Sequence, residues 1–211
     1  MNKRNYQKEL EQVLKEEQGT LPRLLLHSCC APCSSHVLEY LSPYFLITVF
    51  YYNPNIYPET EYRKRVLEQE DFIRRFPTAH PVEFVDGPYE PERFYETVKG
   101  MEREPEGKER CFRCYELRIL EAVEMAQSGG FDYVTTTLTI SPLKNAEKLN
   151  EIGERLTRGR GVKWLPGDFK KKEGYKRSIE LSAEYKLYRQ NYCGCVYSQR
   201  QQREMDLPKE A

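Results

Sequence analysis

The 211-residue chain has no apolar run approaching the roughly 20 residues that span a bilayer. Its first twenty residues, MNKRNYQKELEQVLKEEQGT, lack the apolar centre of a secretion signal. Both absences point to a cytoplasmic protein with no membrane partner. There is no excess of charge either: 33 Lys and Arg face 33 Asp and Glu, so any nucleic-acid partner must be held by a local patch. No internal repeat or low-complexity linker divides the chain. Its length suits one ordinary domain, with or without an appendage, that folds without disulfide support. Glycine is missing from residues 28–35, SCCAPCSS, which argues against a phosphate-cradling nucleotide loop there.

What the chain does have is cysteine. All seven lie in three clusters: Cys29, Cys30 and Cys33; the Cys-x-x-Cys of Cys111 and Cys114; and the Cys-Gly-Cys of Cys193 and Cys195. An odd number in a reducing compartment is a poor disulfide framework, so metal binding or redox chemistry is the leading explanation. Two clusters fall at expected helix starts, where unpaired N–H groups favour the thiolate. Four thiolates make a tetrahedral zinc site or hold one iron–sulfur cluster, and three are left over. The arithmetic allows a four-cysteine site plus a three-ligand metal with open coordination, or one metal site plus a redox-active pair. A lone cysteine is readily explained as a small core residue; three close clusters are not. A dithiol at Cys30 and Cys33 leaves five thiols without a reason.

The pattern around these clusters alternates. Short apolar runs at residues 23–27, 45–52, 82–85, 132–137 and 163–165 read as strands. Helical patterns at 34–41, 59–76, 92–98, 111–127 and 145–158 lie between them. This predicts a parallel sheet covered by helices, in which loops leaving the strand C-termini line the ligand crevice. The expected division is an N-terminal helical arm over residues 1–22, a single catalytic α/β domain over 23–203, and a tail over 204–211. Residues 169–203 carry nine Lys or Arg against three Glu, interleaved with Tyr175, Tyr185, Tyr188, Tyr192 and Tyr197. Basic and aromatic surfaces suit splayed single-stranded bases. The spacing of Tyr185, Tyr188 and Tyr192 equally fits a helical core stripe.

Taken in order, HSCCAPCS, YNPNIYPETEYRKR, CFRCYELR, TTTLTISPLKN and the cysteine-containing tail resemble the QueH family of epoxyqueuosine reductases, from about residue 24 to 198. The resemblance implies a three-layer α/β fold of the adenine-nucleotide-hydrolase type (HUP, Rossmann-like) with a C-terminal helical extension. It implies cobalamin-independent reduction of the epoxide of epoxyqueuosine, at the wobble position of tRNA, to queuosine. The implied cofactors are a [4Fe–4S] cluster and a separate mononuclear iron, with all seven cysteines as metal ligands. Some relatives carry aspartate at the position of Cys33, which points that residue to the lone iron facing the substrate. An electron donor such as ferredoxin or flavodoxin follows by chemical analogy. The competing reading is a zinc- or cluster-stabilised tRNA-binding module of the same fold, without reductase activity.

Other expected substrate or RNA contacts are Asn53, Asn55, Arg65, Thr136, Ser141, Lys144, Arg177, Tyr188, Arg189 and Gln190. Each has a plainer explanation as well: turn chemistry for Asn53 and Asn55, a solvated helix face for Arg65, strand propensity for Thr136. His27, beside the cysteines, reads as a packing residue at a strand end rather than a ligand.

Overall fold

A computed structural model describes residues 4–206; residues 1–3 of the expected arm and 207–211 of the expected tail lie outside the described residues. Five strands form one parallel sheet: β1 (Arg23–His27), β2 (Leu46–Tyr51), β3 (Glu83–Asp86), β4 (Tyr133–Thr136) and β5 (Lys163–Trp164), in the order β3-β2-β1-β4-β5. The helices are α1 (Tyr6–Glu16), α2 (Ala31–Leu41), α3 (Glu59–Arg75), α4 (Pro91–Thr97), α5 (Glu109–Ser128), α6 (Ala146–Thr157), α7 (Gly174–Glu184) and α8 (Val196–Asp206). A 3-10 turn, Thr137–Ile140, follows β4.

The three leucines of β1 explain the layers. Side chains alternate along a strand, and a central parallel strand is covered on both faces. Leu24 and Leu26 join a core with Leu10, Leu38, Phe72 and Leu181, from α1, α2, α3 and α7. Leu25 joins a second core with Ile119, Val123, Leu149 and Trp164, from α5, α6 and β5. The result is helix, sheet, helix, as the alternation of the sequence requires. The α6 layer sits close to the sheet because Gly153 has no side chain: a Cβ there would lie 2.2 Å from the Trp164 ring.

The strand order places a topological switch between β1 and β4, the position at which a doubly wound sheet opens its ligand crevice. The loop after β1 and the turn after β4 meet there, with the Cys29 N–H donating to Thr137 Oγ1 at 3.4 Å. The basic tail differs from one continuous amphipathic helix. It breaks after α7, with left-handed φ at Lys186 (55°) and Gly194 (107°), and resumes as α8. The three tyrosines therefore separate. Tyr185 packs edge-on against Phe72 and Phe76, whereas Tyr188 lies under the Lys64 ammonium, 3.3 Å from its ring centre.

Candidate functional site

Every cysteine cluster sits at a helix start. Cys30 is the N-cap of α2, with Pro32 in the first turn, where a missing N–H costs nothing. Cys111 and Cys114 lie in the first turns of α5, and Cys195 immediately precedes α8. The Cys-Gly-Cys loop is held by the Tyr57 N–H, which donates to Gly194 O at 2.9 Å. That loop is brought next to the start of α5, about eighty residues earlier in the chain.

The seven thiols sort into two groups. The Sγ atoms of Cys29, Cys30 and Cys33 all lie within 4.8 Å of one another, the one such group of three or more His, Cys, Asp or Glu donors among the described residues. One tetrahedral ion with metal–sulfur bonds of about 2.3 Å needs sulfurs about 3.8 Å apart, so this triplet fits a single ion. Cys111, Cys114, Cys193 and Cys195 line a second cavity with Asn55, Phe94, Glu106, Arg110 and Tyr115, in a more open arrangement that suits a larger cluster. Each of these four sulfurs receives an N–H bond. Gly107 N donates to Cys111 at 3.2 Å, Ser198 N to Cys195 at 3.3 Å, Lys144 Nζ to Cys193 at 3.6 Å and Arg118 Nη1 to Cys114 at 3.8 Å. Such bonds favour sulfurs that carry negative charge. Among the described residues the first triplet has no N–H donor to sulfur; its thiols bond one another, Cys29 to Cys30 at 3.9 Å, and Cys29 also meets Thr137 Oγ1 at 3.7 Å.

The protonation pattern follows from this geometry. Hydrogen bonds from Cys30 and Cys33 hold the Cys29 thiol well below its usual range. The same bonds push Cys30 up to about 12 and raise Cys33 strongly. Within the triplet, Cys29 is therefore the thiol most readily deprotonated, and a cation held by all three would displace protons from the other two. Burial raises Cys111 and takes Cys114 up to about 11, with Cys195 also raised by burial.

Two cations stand between the groups. Arg118 is 1% exposed, donates from Nη1 to Asn55 Oδ1 at 3.2 Å, and leaves Nε and Nη2 without partners. Burial opposes its charge, but Cys114, Cys193 and Cys29 more than offset that and raise its pKa. Lys144 is likewise desolvated, yet the charges of Cys193, Tyr115, Cys29 and Cys33 hold its pKa well above the usual lysine range. Nothing in the sequence singled out Arg118. It looks like an ordinary i, i+4 neighbour of Cys114, and its other partner is 63 residues away.

A cavity of about 180 Å³ opens over the triplet. Of the residues expected from sequence, Asn53, Asn55, Arg65, Ser141, Lys144, Arg189 and Gln190 line it, together with Cys29, Cys30, Cys33, Cys193 and Arg118. Asn53 donates from Nδ2 to Ser28 O at 2.8 Å, which fixes its amide and leaves Oδ1 a buried acceptor without a partner. Arg65, 2% exposed, is anchored on Glu61 at 2.7 Å. Arg189 reaches Ser182 Oγ at 3.1 Å, and Gln190 donates to Tyr188 O at 2.7 Å.

Three expected contacts lie elsewhere. Thr136 is fully buried at the end of β4: its Oγ1 bonds His27 Nδ1 at 2.8 Å and accepts from Leu138 N. Arg177 pairs with Glu39 at 2.6 Å across α2 and α7. Tyr188 is half-buried, with its N–H donating to Glu68 at 2.6 Å. His27 spends its other nitrogen on Tyr52 O at 3.1 Å, and burial takes its pKa down to about 3, so it is a neutral structural residue.

Comparison with known proteins gives a consistent result. A family model described as Epoxyqueuosine reductase QueH matches residues 24–201. The chain is 43% identical over 200 residues to the Epoxyqueuosine reductase QueH of Staphylococcus epidermidis, covering 92% of this chain and 84% of that protein. It is 42% identical over 202 residues to the protein of that name from Streptococcus pyogenes, covering 94% and 79%. The one from Thermotoga maritima is 34% identical over 187 residues, covering 86% and 92%.

Proposed function

Because the chain belongs to the epoxyqueuosine reductase QueH family, we propose that it reduces the epoxide of epoxyqueuosine in tRNA to the cyclopentene of queuosine, at the anticodon wobble position. It is an oxidoreductase. The reaction takes two electrons and two protons, breaks both epoxide C–O bonds, forms the C=C bond and releases the oxygen as water.

The donor set fits two metal groups: a [4Fe–4S] cluster on Cys111, Cys114, Cys193 and Cys195, and a single iron on Cys29, Cys30 and Cys33. The observation that carries this reading is the contrast between four sulfurs that each receive an N–H bond and a tight triplet that receives none. When bound, these groups supply single electrons and a Lewis acid, with no need for cobalamin. The chain itself does the rest. Arg118 and Lys144 offset thiolate charge between the two groups, and the orphan Oδ1 of Asn53 accepts a hydrogen bond from a substrate hydroxyl. Asn55 keeps the Arg118 guanidinium aimed at the cavity. Electrons come from an external donor of the ferredoxin or flavodoxin class.

Anaerobically purified protein is expected to contain about five irons and about four sulfides per chain. Cys33→Ala is expected to keep the sulfide and the cluster absorbance, lose about one iron, and lose turnover, read as the mass of the modified nucleoside in tRNA. Zinc with no visible absorbance would overturn the cofactor assignment. Turnover retained in Cys33→Ala would overturn the role given to the triplet.

A further inference from the structure

A second, larger groove of about 960 Å³ runs from the rim of the cavity to the start of α1. The two share one ridge, Pro142, Leu143 and Lys144. From that ridge the groove passes between Arg4 and Lys8 on one side and Lys170, Lys171 and Lys172 on the other. With Lys144 these are six cations against three carboxylates, Glu11, Glu147 and Asp168. Along the lining, positive groups thus outnumber negative ones. Three of the six cations are already paired: Arg4 with Glu9 and Glu154, Lys172 with Glu11, and Lys170 with Asp168 at 2.5 Å. Lys8 and Lys171 are exposed and have no ion pair among the described residues. Lys172 and Glu173 hold left-handed φ of 48° and 63°, so the tight turn in the groove wall is one that side chains adopt only at a cost. At the crest of the ridge Leu143 is 67% exposed, the most exposed large apolar side chain among the described residues.

We propose that this groove is the track for the phosphate backbone of the substrate RNA next to the base that enters the cavity, with Leu143 as the apolar edge against which that strand is splayed. The inference rests on the reading of a tRNA substrate. It goes beyond it in assigning the backbone to the α1 side, where residues outside the matched family region supply Arg4 and Lys8. Continuity favours RNA over an acidic electron-donor protein: the groove adjoins the cavity across the ridge, within reach of the phosphates next to a base held over the triplet. Rows of lysine and arginine bind such phosphates with a strong salt dependence.

The test uses the full-length, metal-loaded protein and a synthetic anticodon stem-loop RNA of unmodified sequence. Lys8→Ala with Lys171→Ala is expected to raise the Kd for this RNA about tenfold, and to make the slope of log K against log salt shallower by about one for each lysine removed. Leu143→Ser is expected to raise the KM for epoxyqueuosine-containing tRNA, whereas Lys99→Ala, an exposed charge outside both cavities, leaves Kd and KM unchanged. An unchanged Kd and salt slope in the double variant would overturn the proposal. So would a raised KM for the reduced electron-donor protein with RNA binding intact, because the groove would then be the donor's dock. Wild-type turnover of epoxyqueuosine tRNA is measured alongside: its absence would sink the substrate reading itself, whereas normal turnover with unaltered variant binding sinks the groove alone.

Discussion

At the scale of single residues, the site is built around buried polar atoms left without partners. An arginine 1% exposed, with no carboxylate bonded to it, is costly unless anionic groups surround it. Here the neighbouring groups are cysteine sulfurs, and once they carry charge as metal ligands Arg118, positioned by Asn55, would be their fixed counter-charge. Removing it while keeping its volume tests this. Arg118→Met is expected to lower turnover about 10- to 100-fold, the usual effect of losing a group that supports metal ligands. It should also move the midpoint potential of the proposed cluster to more negative values, because a nearby positive charge favours uptake of an electron. Arg118→Lys should recover part of that shift. A redox titration followed by electron paramagnetic resonance reads both, and an unaltered potential in Arg118→Met would leave Arg118 a packing residue only. The neighbouring polar pair behaves differently. His27 and Thr136 bond each other at 2.8 Å and are sealed from the cavity, so they hold β1 to β4 rather than meet substrate.

At the scale of elements, the strand and helix alternation was readable because a parallel sheet leaves a strong pattern: β1 is an apolar run buried on both faces, and each helix brings its own periodicity. The cysteines were readable as a candidate metal-binding set. A count of four and three was already allowed, but which cysteines stand together was not readable, because it depends on which helix starts the folded chain brings together. Cys193 and Cys195 were also the one cluster not expected at a helix start. The tail reads as a continuous basic amphipathic stretch, and the break before α8 depends on left-handed backbone at Gly194. A Cβ at that position would come within 2.9 Å of Arg65 Nη1 and 3.2 Å of Ile56, at φ 107°. Arg65 is held by Glu61 and has little room to yield. Gly194→Ala is therefore expected to cost about 1–3 kcal/mol and to reduce bound iron and sulfide. Gly159→Ala, with φ 74° and nothing within 4 Å, is the control for backbone strain alone and should leave metal content intact. Equal metal content in the two variants, read by iron and sulfide analysis, would mean the turn does not place its cysteines.

At the scale of the whole molecule, α1 links stability to the RNA track. Its sequence looks mostly polar, which is why it reads as a separate arm, and the family match begins only at residue 24. In the fold, Leu10 and Leu14 enter the same core as Leu24 and Phe72, with Leu10 at 0% exposure. Two good apolar anchors suffice when the rest of the face is tied by polar contacts. Gln7 reaches Tyr40 at 3.3 Å, Tyr133 donates to Glu17 at 2.6 Å, and Arg4 pairs with Glu154 at 2.7 Å. These tie α1, and the turn that follows it, to α2, β4 and α6, so the helix belongs to the core rather than beside it. A core leucine cut to alanine costs about 2–5 kcal/mol, whereas a surface change costs within about 0.5 kcal/mol. Leu10→Ala should therefore lower the urea midpoint as much as a substitution in the centre of the sheet would, with a single transition and an unchanged slope. A loss of under about 0.5 kcal/mol, or a separate early transition, would mean that α1 folds as an appendage. In that case the wall carrying Arg4 and Lys8 would be loose, and RNA affinity would fall before global unfolding begins. With α1 in the core, affinity and fold are lost together along the same denaturation curve.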